Sequence, residues 1–370
     1  MLATTASISR RRFLAHGSCF GAFYAFASAI PLPALSRTLS DDPRIAQTPL
    51  VDAGFASVRS VGNGLYATIS DTSKGYTTIS NGGFLVGKDA ALLVEGYASP
   101  QGAAFQMDAL RKVSQVTAAG ALDTHHHFDH SFGNSFYGAN GIPLWAHADV
   151  PRRIFESYVP LQGMDRAKAL SALEKNVQDA KTDVQRQHAQ SDLVAISAIF
   201  DLANKTPQTL PNRGLDPVKL PLNVDLGGLA VIIEPYPGHS GTDLILRVPD
   251  QNVVYSGDLI FNQMYPVCID EKATVSGWRA TLKTFSSWDK KTIFVPGHGQ
   301  VCGQEGVQRL IEVFDDIAEQ TEKFYKAGVP APEAAERYVI PEKFKTFGMY
   351  SWEFTLGSTV KKLYAEWQGK

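Results

Sequence analysis

The sequence predicts a layered α/β fold, and three observations predict it. Segments with strand-like alternation recur along the chain and are separated by segments with helical periodicity. A chain of 370 residues, 44% apolar and 19% charged, has ample material for one large core or two ordinary ones. Histidines and acids gather just past the ends of the apolar runs, where the loops of layered α/β folds collect ligands and catalytic groups.

The elements follow in order. Residues 57–95 are strand-like with glycine and asparagine turns, in "SVRSVGNGLYATIS", "TTISNGGFLVG" and "AALLVEG". A helix is expected over 100–116, then a short strand "GALDT" and another in "GIPLWAH". The span 148–204 has almost no β-branched alternation and reads as a helical insert. Within it Ala167, Leu170, Leu173, Val177, Ala180 and Val184 recur at three- and four-residue steps, which places one apolar stripe on a helix. Strands resume in "GGLAVIIEPY", "DLILRVP" and "NVVYSGDLIF". A helix over 275–288 precedes a last strand, "TIFVPGHG", and helices are expected over 305–370.

The first 36 residues read as a targeting segment. Ser9-Arg10-Arg11-Arg12-Phe13-Leu14 resembles the bacterial twin-arginine export signal and leads into the apolar run "GSCFGAFYAFASAIPLPAL". Ala27-Ser28-Ala29 and Ala34-Leu35-Ser36 are both suitable cleavage sites, so the mature chain begins after 29 or 36 and the folded domain occupies 37–370. His16 stands where a lipoprotein signal needs an aliphatic residue, which removes Cys19 as a lipid anchor. The expected location is periplasmic or secreted, with the twin-arginine machinery as partner. Loss of residues 1–29 removes three arginines and no acid, moving the formal net charge from −2 to −5. No clustered basic excess points to nucleic acid, and no apolar run beyond the first 40 residues is long enough to anchor the chain in a bilayer. Only Cys268 and Cys302 remain after cleavage: one bridge or two free thiols, but no disulfide framework.

The chemistry is concentrated in "DTHHHFDHSFGN", Asp123 to Asn134, which holds four of the nine histidines. Alternate residues of an extended segment point the same way, so His125 and His127 can grip one ion while His126 faces away. Asp129 and His130 fall on the following turn and can face a second position. Imidazoles with a carboxylate are a donor set that zinc accepts. Two further histidines, His239 in "YPGHSGTD" and His298 in "VPGHGQ", follow Pro-Gly at strand ends, where the backbone can turn sharply. Asp258, in "VVYSGDLIF", follows an apolar strand, where an unpaired carboxylate is costly unless cations neutralise it. His147 and His188 lie in or beside the insert and read as surface or packing residues.

These motifs resemble the metallo-β-lactamase-fold superfamily over about residues 57–303, interrupted by the insert. The resemblance implies a four-layer αββα sandwich. It also implies two metal positions, with His125, His127 and His239 at the first, Asp129, His130 and His298 at the second, and Asp258 bridging. Asp258 before Leu-Ile-Phe looks most like the glyoxalase II branch of di-zinc hydrolases; class B β-lactamases usually carry cysteine or serine there. Glu95 stands where the superfamily commonly has aspartate and is expected to support a ligand histidine. Asn134 resembles an asparagine that follows the motif in many members, as a helix start, a packing residue or a substrate contact. No segment matches the glutathione-binding region of glyoxalase II.

The implied function is hydrolysis of a small-molecule ester, lactone, thioester or amide. Two zinc ions ~3.5–4 Å apart would acidify a shared water to a pKa of ~7 and polarise the substrate; iron or manganese also suits the donors. Asp129 is expected to accept a hydrogen bond from this water and orient it. The alternatives are β-lactam hydrolysis, a mononuclear iron persulfide dioxygenase, and a non-catalytic metal-binding protein. Against β-lactams, the place of the carboxylate-anchoring lysine found in many class B β-lactamases is taken by Phe261. Oligomeric state is left open.

Overall fold

A computed structural model describes residues 40–369. The twin-arginine segment and both cleavage positions lie outside the described residues. The first sheet runs in chain order: β1 (Val51–Asp52), β2 (Ala56–Gly62), β3 (Leu65–Ser70), β4 (Gly82–Val86), β5 (Ala90–Val94), β6 (Thr117–Leu122), β7 (Leu144–His147) and β8 (Arg213–Leu215). The second runs β13 (Ile293–His298), β12 (Val253–Phe261), β11 (Leu244–Val248), β10 (Ala230–Pro235) and β9 (Leu222–Asp225).

Alternation decides which faces meet. Leu65, Ala67, Leu85, Leu92 and Val94 from the first sheet share one buried cluster with Val231, Ile233, Leu246, Val253 and Val295 from the second. The outer face of the first sheet, with Phe84, Ala91 and Leu93, buries Ala103, Ala109 and Leu110 of the helix Pro100–Val113. That helix starts where Ser99 caps it by accepting from the Gly102 amide, with Pro100 as its first residue. The outer face of the second sheet buries Trp278, Leu282 and Phe285 of the helix Val275–Ser286 and Leu310, Val313 and Phe314 of the helix Gln304–Lys326. Helix, sheet, sheet and helix therefore stack as the four expected layers.

Both sheets turn parallel where a helix crosses over. β5 pairs parallel with β6 around the helix Pro100–Val113, and β12 pairs parallel with β13 around the helix Val275–Ser286. In such units ligands collect beyond the carboxyl ends of the strands. The histidine loop leaves the end of β6, and His298 ends β13.

Helices fill most of the span between β7 and β8: Val150–Tyr158, Arg166–Asp179 and Asp183–Lys205. The single apolar stripe expected there is corrected. Ala180 is extended and Thr182 caps a new helix through the Gln185 amide, so the stripe crosses a break. Leu170 is buried, whereas Val184 is exposed. The longer helix is held instead by Ala195, Ile199, Phe200 and Ala203. Cys268 and Cys302 are free and buried. No helix among the described residues is long and apolar enough to cross a membrane.

Candidate metal centre

The histidine loop, the turn between β10 and β11, and the ends of β12 and β13 converge on one buried point. His125 Nε2 lies 3.0 Å from His127 Nδ1, and His239 Nε2 lies 2.8 Å from the same atom. Asp258 Oδ2 is 3.2 Å from His239 Nε2 and 3.8 Å from His125 Nε2. The other oxygen of Asp258, Oδ1, is 3.2 Å from both His130 Nε2 and His298 Nε2. Asp129 Oδ2 completes this second group at 3.3 Å from His298 Nε2 and 3.7 Å from His130 Nε2. All seven residues are buried. The seven side chains named from the motifs thus form two adjacent clusters, each of which could hold a metal ion, with one Asp258 oxygen turned to each.

The donor atoms fit cations. Thr124 Oγ1 donates to Glu95 Oε1 at 2.6 Å, so its lone pair faces His125 Nδ1 at 3.1 Å and that nitrogen carries the proton. His239 Nδ1 likewise donates to the Val267 carbonyl at 2.8 Å. The Nε2 lone pairs of both rings then point together at His127 Nδ1, the placement expected of three ligands to one cation. Neither oxygen of Asp129 or Asp258 meets a donor in hydrogen-bonding geometry. Ligands ~2.0–2.1 Å from a tetrahedral ion stand about 3.3 Å apart, close to the spacings found in both clusters.

Electrostatics follow from burial and neighbours. Burial, with the adjacent imidazoles, holds His125 and His127 well below the usual histidine range, so both are neutral and offer lone pairs. Burial lowers His239 as well, in spite of Asp258. Burial also opposes the charged forms of His130 and His298, but the carboxylates around them outweigh it and raise both. For Asp258 burial is outweighed by His298, His130 and His239, and its carboxyl sits well below the usual range.

A second ring of residues orients the first. Glu95 sits with φ +75°, a backbone conformation that side-chain-bearing residues rarely adopt. Its Oε1 lies 3.1 Å from His130 Nδ1, and its Oε2 accepts from the Thr124 amide at 3.1 Å. Asn134 begins the helix Asn134–Ala139 and, buried, donates from Nδ2 to Asp123 Oδ2 at 2.6 Å. Burial pushes the Asp123 carboxyl well above the usual range, against that bond. Two glycines are required. Gly257 has φ +50°, and a Cβ there would lie 2.4 Å from Thr124 Oγ1; a Cβ on Gly297 would lie 2.0 Å from Asp258 Oδ1.

Motif reading missed Tyr350, whose hydroxyl bonds His298 Nδ1 from the segment "MYSWEF". It also missed Thr124, Val267 and a buried group formed by His126, Asp270 and Arg153. The expectation that His126 faces away from its neighbours is corrected: the segment bends there, its ring lies 4.6 Å from that of His127, and His126, His127 and Asp270 form a further group close enough to hold a metal ion. Phe261 is a buried core residue, its ring stacked on His298 with centroids 5.0 Å apart. His147 is buried at the end of β7, and His188 stacks on Trp352. A cleft of about 220 Å³ reaches the centre at His298 and Tyr350, with Ile79, Met264 and Arg59 also in its walls.

Comparison with known proteins identifies the family. The model of the family described as "Metallo-beta-lactamase superfamily" matches residues 77–298, and the chain belongs to that superfamily. No curated protein matches it. Among solved structures, it is similar to a double mutant of the sec-alkyl sulfatase PisA1, with a TM-score of 0.57, 14% identity, and 85% of this chain and 50% of that one covered. It is similar also to the stereoselective inverting sec-alkylsulfatase Pisa1 from Pseudomonas sp., with a TM-score of 0.56, 15% identity and the same coverage. The chain spans about half the length of these structures.

Proposed function

We propose that this chain is an exported hydrolase with two divalent metal ions, zinc at both positions, in the glyoxalase II-like branch of its superfamily. The observation that carries the reading is Asp258, whose two carboxylate oxygens face different groups of imidazoles. A mononuclear iron centre has no use for the second group, and a decayed binding protein has no reason to keep both. When bound, such ions acidify water to a pKa of ~7 and polarise the bond to be cleaved.

The chain's own residues do the rest. His125, His127, His239 and Asp258 Oδ2 would hold the first ion, and Asp129 Oδ2, His130, His298 and Asp258 Oδ1 the second. Asp129 Oδ1 is buried and meets no donor, which leaves it to accept a proton-bearing water and orient it. Thr124, Val267 and Tyr350 hydrogen-bond the outer ring nitrogens of His125, His239 and His298, and the Glu95 carboxylate faces that of His130, so the inner lone pairs would stay directed at the ions. Substrate would approach along the cleft at His298 and Tyr350. An ester, lactone, thioester or amide suits this chemistry, and the fold shared with alkylsulfatases adds sulfate esters. Among the described residues Arg59 is the only lysine or arginine in the cleft wall, and Asp52 and Asp71 share that wall, so these side chains offer no surplus of positive charge for a β-lactam carboxylate.

Elemental analysis of the full chain after zinc reconstitution is expected to find two ions. Hydrolysis should then be measured with an aryl ester, a lactone, a thioester, an alkyl sulfate and nitrocefin on one preparation. Ester-type turnover that a chelator abolishes and zinc restores is expected, with nitrocefin orders of magnitude slower. Fewer than one ion per chain, or nitrocefin as the best substrate, would sink the reading.

A further inference from the structure

Behind the first cluster lies a buried chain of charge that no step above uses. Arg153, on the helix Val150–Tyr158, places Nη1 3.1 Å from Asp270 Oδ2 and 3.4 Å from Glu271 Oε1. Asp270 Oδ2 in turn lies 3.4 Å from His126 Nε2, and His126 Nδ1 lies 3.2 Å from Thr242 Oγ1. The side chains of Arg153, Asp270 and His126 are 8%, 3% and 4% exposed. His126 sits between the ligands His125 and His127. Asp270 sits three residues after Val267, whose carbonyl orients His239. Asp270 therefore ties the loop that carries His125 and His127 to the segment whose Val267 carbonyl orients His239. The second cluster is braced from elsewhere, by Glu95 and Tyr350.

We infer that Arg153 and Asp270 are positioning residues for the first metal position alone, through which the insert governs the affinity of one ion and not the other. This rests on the binuclear reading. The contact needs only one donor nitrogen: Nη1 makes both ion pairs, while Nε and Nη2 are buried without a hydrogen-bond partner. A lysine ammonium can replace a single-nitrogen contact, although it cannot replace a fork.

The test is titration of the metal-free full chain with Co²⁺, read by the visible absorption of the bound ion and by calorimetry, in two backgrounds. In His298→Ala, which leaves the first position intact, Arg153→Met and Asp270→Asn are each expected to weaken Co²⁺ binding about 10–100-fold. In His239→Ala, which leaves the second, the same changes are expected to shift affinity less than about threefold. Arg153→Lys should restore most of the loss in the first background. Equal losses in both backgrounds, no loss in either, or a lysine variant as weak as methionine each overturn the inference. Should Arg153→Met not fold, the isosteric Asp270→Asn carries the same comparison. A parent chain that binds fewer than two Co²⁺ ions would count against the binuclear reading, whereas the single-position comparison stands by itself.

Discussion

Asp192 offers a test of how the insert is held against the tail that carries Tyr350. It lies on the helix Asp183–Lys205, and its Oδ1 accepts from the Glu353 amide at 3.4 Å, two residues past Ser351 and three past Tyr350. Burial pushes its carboxyl up to about 6, with the Glu353 charge adding and Ser351, the Glu353 amide and Lys361 opposing. The unfolded value is near 3.8. Between about pH 4 and 6 the folded chain therefore holds more of this proton than the unfolded chain, and stability falls as pH rises through that window. Above it the cost levels off at about 3 kcal/mol, from some two pKa units at ~1.4 kcal/mol each. Asp192→Asn removes the charge and keeps the acceptor for the Glu353 amide. The expected outcome is a variant more stable than the parent by about 1–3 kcal/mol at pH 8 and equal to it near pH 4. For a chain of this length that is roughly 1–4 °C in midpoint temperature. Thermal unfolding of the metal-free parent and variant, side by side from pH 4 to 8, reads the difference directly. A difference independent of pH, or a less stable variant at pH 8, would refute the argument.

Three further outcomes are expected. Asp258→Ala removes one ligand from each cluster, so elemental analysis should find about one ion or fewer where the parent holds two; two tightly held ions would contradict the bridging role. Gly297→Ala places a Cβ against Asp258 Oδ1, and calorimetry should find Co²⁺ bound at least about tenfold more weakly, because the carboxylate must leave its place between the clusters. In the targeting segment, lysines at positions 10, 11 and 12 keep the charge but lose the guanidinium. That triple variant should stay uncut in the cytoplasm, and its normal recovery from the periplasm would contradict export by the twin-arginine route.

What was legible in the sequence was local, or was punctuated by residues with one physical use. His125, His127, Asp129 and His130 lie within six residues, so strand alternation followed by a turn was enough to divide them between two positions. His239, His298 and Asp258 are far apart in sequence, but each stands beside a glycine that the backbone needs. At Gly297 and Gly257 the structure gives the reason, which is the lack of room beside Asp258 and Thr124. Tyr350 and the Arg153–Asp270–His126 chain carried no such mark. Their meaning comes from contacts across 52 and 117 residues of sequence, and a tyrosine among tail aromatics or an arginine on a helix resembles any other. The break in the insert was missed for another reason. Three- and four-residue spacing continues across Ala180 by coincidence, while Thr182-Asp183 already carried the signature of a new helix start. The strands β8 and β9 are three and four residues long, too short for alternation to register.

The division of the donors between the sheets explains why the fold and the centre have to form together. The loop after β6 brings His125 and His127 to the first cluster and Asp129 and His130 to the second. The second sheet brings His239 to the first, His298 to the second, and Asp258 to both. Neither sheet supplies a complete set for either position, so each bound ion would tie one sheet to the other across the apolar layer between them. Without an ion, the seam holds a buried carboxylate pair compensated by the imidazoles of His130 and His298 beside it. With ions in place the same atoms would link the two halves, and metal affinity would add to folding stability because the separated halves would bind weakly. The apolar layer therefore determines how the sheets stack, while the donors at its open end would, in the proposed binuclear state, further constrain their register.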